Sequence, residues 1–409
     1  MLKITTELSK TQKLFATAII GLLILNFSHA NLLDSRYVPF AIGSFFLFEL
    51  LLTNQQFSKS FLWLIFGWIS INLTSMLINN LEIYLFRIII NSVNLLFLPY
   101  LIIKKYGLKF WEIFEKILYF LTLISLPLYI LNIIFYDLFL ALDPIFSPLT
   151  SQAMSLNANY WSIFIYNNSM LDIYYRNLGF MWEPGAFAML IIWGLVFNSL
   201  RTENFAYSKK FWVYTIALIT TFSTAGYFAY LVFITGYFLK RFSIINFFSA
   251  IIIGSLFYLF VYDLPFISGK LDVYVEGYES DPYGELGYTG RKVNRFQGGV
   301  TALLRTIDYP LGVGLVSAED KDDASFSYGV NGLASLLEMW GVFLFPVLMV
   351  LLHKTLKILD FYNIPKFRIL FFYTALLVMF FSNPVARMTF IYFIFLTPIA
   401  IKSSIGEAT

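Results

Sequence analysis

The chain has no cysteine among its 409 residues. Disulfides and thiolate chemistry are therefore excluded. Histidine is almost absent as well. His29 and His353 are the only two, which leaves little room for a histidine-held metal. Charge is the third shortage. Asp, Glu, Lys and Arg make up 13% of the chain, about half the ~25% usual in soluble domains. The net charge is only +3, and no nucleic-acid partner, metal or cofactor is expected.

What remains is apolar. Hydrophobic residues make up 59% of the chain and the mean hydropathy is +0.73. A bilayer-crossing helix needs about 20 predominantly apolar residues. Twelve segments qualify or nearly so, near 12–28, 37–53, 61–78, 83–103, 113–135, 181–200, 211–223, 226–239, 243–262, 334–352, 367–382 and 385–401. Ser28-His29-Ala30, after Lys3, Lys10 and Lys13, resembles a signal-peptidase site. With so many spans following, a retained first span is the expectation.

The run 211–239 is interrupted by Ser223-Thr224-Ala225-Gly226. It could be one tilted helix or a hairpin. Lys209 and Lys210 precede it, and Lys240 and Arg241 follow it. Basic residues mark the cytoplasmic side of a membrane, so two basic ends favour a hairpin with an outer tip. The expected fold is an all-α polytopic integral membrane protein, one transmembrane domain over 1–409 with about 12 transmembrane helices. Both termini are inside, and two long outer loops lie at 136–180 and 263–333.

With that topology, lysines crowd the inner segments and arginines gather outside. Arg36, Arg87, Arg176, Arg291, Arg295, Arg305 and Arg387 all fall at the outer side. Arg87 and Arg387 lie within spans, where charge costs roughly 2.5–3.5 kcal/mol on insertion scales. They either snorkel to headgroups or serve a site. The segment "GRKVNRFQGGVTALLRTID", 290–308, is more specific. On a helix of about 100° per residue, Arg291, Arg295 and Arg305 share one face with Gly298 and Ala302. Val293, Phe296, Val300, Leu303, Leu304 and Ile307 take the opposite face. Arginine forks suit phosphate oxygens, and glycine lets a bulky anion approach. The pattern fits a diphosphate clamp, or an amphipathic surface helix with a solvated basic face. Asp320 and Asp322 form a D-x-D pair that reads better as a solvated acidic turn than as a metal site.

Glu183 and Glu338 lie near outer helix ends. Either could be a general base. Glu183 precedes Pro184, so it also fits a helix cap or an arginine partner.

Three segments resemble the O-antigen polymerase (Wzy-type) and O-antigen ligase superfamily. They are "RNLGFMWEPGAFAML", "FSTAGYFAYL", and "GRKVNRFQGGVTALLRTIDYPLGVG" followed by "NGLASLLEMWGVFLF". The resemblance covers roughly 170–345. It implies an inner-membrane glycosyltransferase acting at the outer face on undecaprenyl-diphosphate-linked glycans, making bacterial surface polysaccharide. It implies substrate binding by Arg176, Arg291 and Arg305, membrane lipids as surroundings, and a polysaccharide chain-length regulator as a partner. Ligases carry a histidine just before the asparagine that matches Asn331. Here that neighbour is Val330, which favours polymerase. The "STAG" turn lacks the arginine many members place there. The alternatives are an O-antigen ligase or a lipid-linked oligosaccharide flippase.

Overall fold

The computed structural model describes residues 8–28, 37–53, 56–79, 85–146, 160–163, 166–171, 174–239, 295–314, 331–383, 385–386 and 388–406. The described chain is mostly helical. Its helices are α1 (Lys10–Phe27), α2 (Tyr37–Leu52), α3 (Lys59–Asn79), α4 (Leu85–Tyr106, with a π turn at Val93–Phe97), α5 (Leu108–Ile134) and α6 (Tyr136–Phe146). After a small sheet come α7 (Pro184–Arg201), α8 (Lys209–Thr220), α9 (Thr224–Phe238), α10 (Arg295–Asp308), α11 (Gly332–Leu359), α12 (Lys366–Ser382) and α13 (Thr389–Gly406).

Among the described residues, four helices are long and apolar enough to cross a bilayer: α4, α5, α7 and α11. α7 is buried nearly all round, with Phe187, Ile191, Ile192 and Leu195 at 0% exposure. It is the central post. Outer helices show the reverse: Trp63 is 72% exposed, Phe66 64% and Leu77 75%. Large apolar side chains left uncovered in this way suit a lipid surround. Helices occupy eleven of the twelve expected segments, and the segment 243–262 lies outside the described residues.

Side-chain contacts sort the helix ends into two sets. At one end, Arg201 meets Glu112 at 2.7 Å, Lys210 meets Glu115 at 2.6 Å, and the Phe361 amide donates to the Leu200 carbonyl at 3.1 Å. This basic end also holds Lys104 and Lys105. At the other end, Asn177 joins Ser125 and Thr220, and Asn383 lies against Gly185.

The region 136–180 needs correction, and with it the all-α description. It holds α6 and a three-stranded antiparallel sheet, β1 (Tyr160–Ile163), β2 (Tyr166–Leu171) and β3 (Tyr174–Gly179). In the β2–β3 pair, Ser169 faces Arg176 and Met170 faces Tyr175. The reason for the sheet lies in the hairpin beneath it. α8 has 12 residues and α9 has 15. At 1.5 Å per residue they reach only about 18 and 22 Å, short of the ~30 Å core. β3 docks above the gap they leave. The Asn177 amide donates to Thr220 Oγ1 at 3.0 Å, and Tyr129 Oη donates to the Tyr175 carbonyl at 3.0 Å. Gly179, at φ +58°, lies against the Phe187 ring, and a Cβ there would come within 2.6 Å of it. The two separate helices also settle 211–239 as a hairpin.

At the basic end, Glu115 is 5% exposed. It accepts from Lys210 at 2.6 Å, Asn198 at 2.9 Å and Tyr214 at 3.2 Å. A buried carboxylate stripped of its cation is strongly unfavourable, whereas removing both charges is far milder. Lys210→Met is therefore expected to lower the unfolding temperature in detergent. Glu115→Gln added to it should recover most of the loss. A double variant no better than the single one would contradict this arrangement.

Candidate functional site

Near the end carrying the sheet, one of the described helices is broken. α11 is interrupted at Gly341, where φ is +67° and ψ is 175°. That conformation belongs almost entirely to glycine. The break exposes the carbonyls of Glu338 and Met339. The segment Pro310-Leu311-Gly312-Val313-Gly314 fills the gap. The Val313 amide donates to the Glu338 carbonyl at 2.9 Å, and the Gly314 amide to the Met339 carbonyl at 3.2 Å. In return, the Val342 amide donates to the Pro310 carbonyl at 2.9 Å. Gly312, at φ +92°, sits directly on Gly341: a Cβ on either would overlap the other's backbone. The "PLGVG" motif is thus a strap across a broken span.

The strap aims α10. Its small face lies inward, with Ala302 at 1% exposure and Gly298 buried. Its apolar face lies outward: Leu303 is 58% exposed, Leu304 47% and Ile307 76%. The arrangement inverts a soluble amphipathic helix. On that inward face, Arg305 points into the protein.

Arg305 Nη1 donates to Glu338 Oε1 at 2.9 Å, and the two side chains are 12% and 2% exposed. Glu338 Oε2 is buried with no hydrogen-bond partner among the described residues. Burying a carboxylate oxygen without a donor is costly, and such exceptions need a reason. A ligand hydroxyl is one group that could satisfy it.

Asn331 closes the first half of α11. Its Oδ1 accepts from the Ala334 amide at 3.1 Å, which makes it an N-cap. A Cβ at Gly299 would lie 3.0 Å from its Nδ2, so α10 passes close by. Gly332 is pressed against the Asn383 and Phe380 carbonyls. Asn383 also reaches α7: its Oδ1 lies 2.9 Å from where a Gly185 Cβ would be, and that oxygen is buried with no hydrogen-bond partner among the described residues. Asn383 therefore links the start of α7 to the start of α11.

No protein-family model matches this chain, and no curated protein does. Its site is read from its own residues.

Those residues divide as follows. Arg305 and Glu338 are brought into direct contact. Glu183 is the N-cap residue of α7 with Pro184 next, but its side chain makes no cap bond to the helix. Its carboxylate sits at the positive end of the helix dipole. Arg176 lies on β3 and reaches the α8–α9 turn. Its Nε donates to the Thr221 carbonyl and its Nη2 to the Phe222 carbonyl, both at 3.3 Å. A cation there favours the C-terminus of α8. The "STAG" turn, which lacks an arginine of its own, thus receives one from the sheet. Arg176 thus bonds to the α8–α9 turn, and Arg305 to α11.

Arg87 is half-buried on α4. Ser92 on the same helix accepts from Trp68 Nε1 at 3.0 Å, and Trp68 packs on Trp340 of α11 with centroids 4.6 Å apart. Arg295 opens α10. Arg291, Arg387, the side chain of Arg295, and Asp320 with Asp322 lie outside the described residues. Sequence reasoning missed Asn383 and the Gly312–Gly341 contact. "SNP" at 382–384 was the signal for the first, and the paired glycines of "PLGVG" were the signal for the second.

Proposed function

We propose that this chain is a membrane glycosyltransferase that polymerises undecaprenyl-diphosphate-linked repeat units at the outer face of the cytoplasmic membrane. The observation that carries the reading is the inward-facing polar side of α10, with Arg305 on the buried carboxylate of Glu338. The resemblance of 170–345 to the polymerase and ligase superfamily supports it independently. So does the gathering of lysines at the opposite end, which the positive-inside rule assigns to the cytoplasm.

The chemistry follows from the charges. A hydroxyl of the acceptor glycan attacks the donor's anomeric carbon. The bond from that carbon to the diphosphate breaks, and the lipid diphosphate leaves with the electron pair. Negative charge grows on the leaving oxygen, and a fixed cation there favours the transition state over the ground state. A guanidinium carries five N–H donors, enough to hold a carboxylate and a phosphate oxygen together. Arg305 takes this role, joined by Arg291 and Arg295, which share its face in the helical reading of the sequence. Glu338 is the better base: its Oε2 has no hydrogen-bond partner among the described residues, and in this reading it takes the proton of the attacking hydroxyl. Glu183 serves to hold the start of α7. Arg176 braces the hairpin turn and adds a second cation at the sheet end.

A strain lacking the chain should accumulate lipid-linked single repeat units already exposed at the outer face. Arg291→Ala and Arg305→Ala, expressed in that strain, should leave polymer absent. Units retained at the inner face would instead identify a flippase. Wild-type polymer lengths in both variants would remove the diphosphate clamp.

A further inference from the structure

At the basic end, a cavity of about 930 Å³ opens between the last turn of α7, the Phe205–Tyr207 turn, α8, α9 and the start of α12. Its wall is rich in aromatic residues, including Tyr207, Trp212, Tyr230, Tyr237, Phe238 and Tyr362. Two charged residues line it, Arg368 and Glu203. Arg368 Nε donates to the Leu239 carbonyl at 3.3 Å, and its guanidinium lies 5.7 Å from the Tyr237 ring centroid. These contacts hold the group by one edge. Among the described residues, no carboxylate forms an ion pair with it.

We propose that this cavity binds a glycerophospholipid from the adjoining leaflet, with the phosphodiester on Arg368. The outer edge of a guanidinium presents paired N–H groups that match two phosphate oxygens. Tyr and Trp concentrate where headgroups meet hydrocarbon, and Trp212 at 57% exposure and Phe238 at 57% fit that level. The volume falls in the ligand-pocket range of about 300–1,000 Å³. It suits a headgroup, a glycerol and the first acyl carbons, with the tails left in the bilayer. Glu203 and Asn204 also line the cavity and offer acceptors to the amine or hydroxyl of a headgroup. Exposed Lys209 and Lys366, one or two positions from lining residues, raise the local concentration of acidic lipid. The proposal is independent of the glycosyltransferase reading.

The test is native mass spectrometry of the purified full chain in detergent. Three probes are added separately: phosphatidylglycerol, phosphatidylethanolamine and inorganic phosphate. The wild type should retain one phospholipid, and the preferred of the two lipids identifies the headgroup. Arg368→Gln should lower the occupancy about tenfold, as expected for a lost charge-assisted pair. Ala206→Trp should do the same by filling the cavity. Ala206 lines the cavity, and only its amide is engaged, by Tyr237 Oη at 3.1 Å. Lys354→Gln, at an exposed lysine of the same end outside the cavity, should change nothing. The proposal is overturned if no phospholipid is retained, if inorganic phosphate binds as well as either lipid, or if monodisperse Ala206→Trp protein keeps full occupancy.

Discussion

Arg305→Ala should destabilise the folded chain by on the order of 3 kcal/mol and abolish polymer formation. The first effect follows from burial. Glu338 is 2% exposed, and its described cationic partner is Arg305 at 2.9 Å. Removing one member of a buried pair strands the other charge, at roughly 3–5 kcal/mol. Loss of activity in this variant alone would therefore be ambiguous. The pair resolves it. Arg305→Met with Glu338→Leu removes both charges and keeps similar volume, and such replacements are often neutral for stability. The double variant should regain most of the unfolding temperature of the wild type in detergent. It should still make no polymer, because neither the phosphate-binding cation nor the base is present. A stable double variant with normal polymer would reduce the pair to a structural contact.

The second large effect is at the helix break. Gly341→Ala should cost at least about 3 kcal/mol and remove activity with it. Alanine is strained at φ +67°, ψ 175°. Its Cβ would also overlap the Leu311 carbonyl group and the Gly312 amide, which are backbone atoms and cannot swing away. The strap would lift, and the three backbone bonds between Pro310–Gly314 and Glu338–Val342 would be lost. α10 is held by that strap, so Arg305 would leave Glu338. Gly21→Ala is the control. A Cβ there meets nothing within 4 Å, and alanine is the better helix former by about 1 kcal/mol. It should be neutral or slightly stabilising. Limited proteolysis of the 309–314 strap, read by mass spectrometry, separates the two cases. Unchanged protection in Gly341→Ala would contradict the strap.

Much of this was legible from periodicity. Counting 100° per residue placed Gly298, Ala302 and Arg305 on one face of α10, and that face is the inward one. The sequence could not say which face turned inward, because in a bilayer an apolar face has a solvent of its own. Leu303, Leu304 and Ile307 are exposed for that reason. Glu183 and Pro184 marked the start of α7 to the residue. The break in α11 was hidden. Residues 334–352 read as one uninterrupted apolar span, and Gly341 differs from a tolerated helical glycine only by its partner Gly312, distant in sequence. The sheet was hidden differently. β2 and β3 contain Asn167, Asn168 and Asn177, which read as turn residues. All three are buried, and two of them spend their amides on neighbours: Asn167 on the Met181 carbonyl and Asn177 on Thr220. Tertiary hydrogen bonds thus overrode local preference.

Reconstitution tests the polymerase reaction itself. The purified chain is placed in liposomes with undecaprenyl-diphosphate-linked repeat units, and the products are resolved by gel electrophoresis. The wild type should yield a ladder of polymers and free lipid diphosphate. The Arg305→Met/Glu338→Leu protein, equally folded, should yield neither. A ladder from the double variant, no ladder from the wild type, or transfer only to lipid A core would contradict the account.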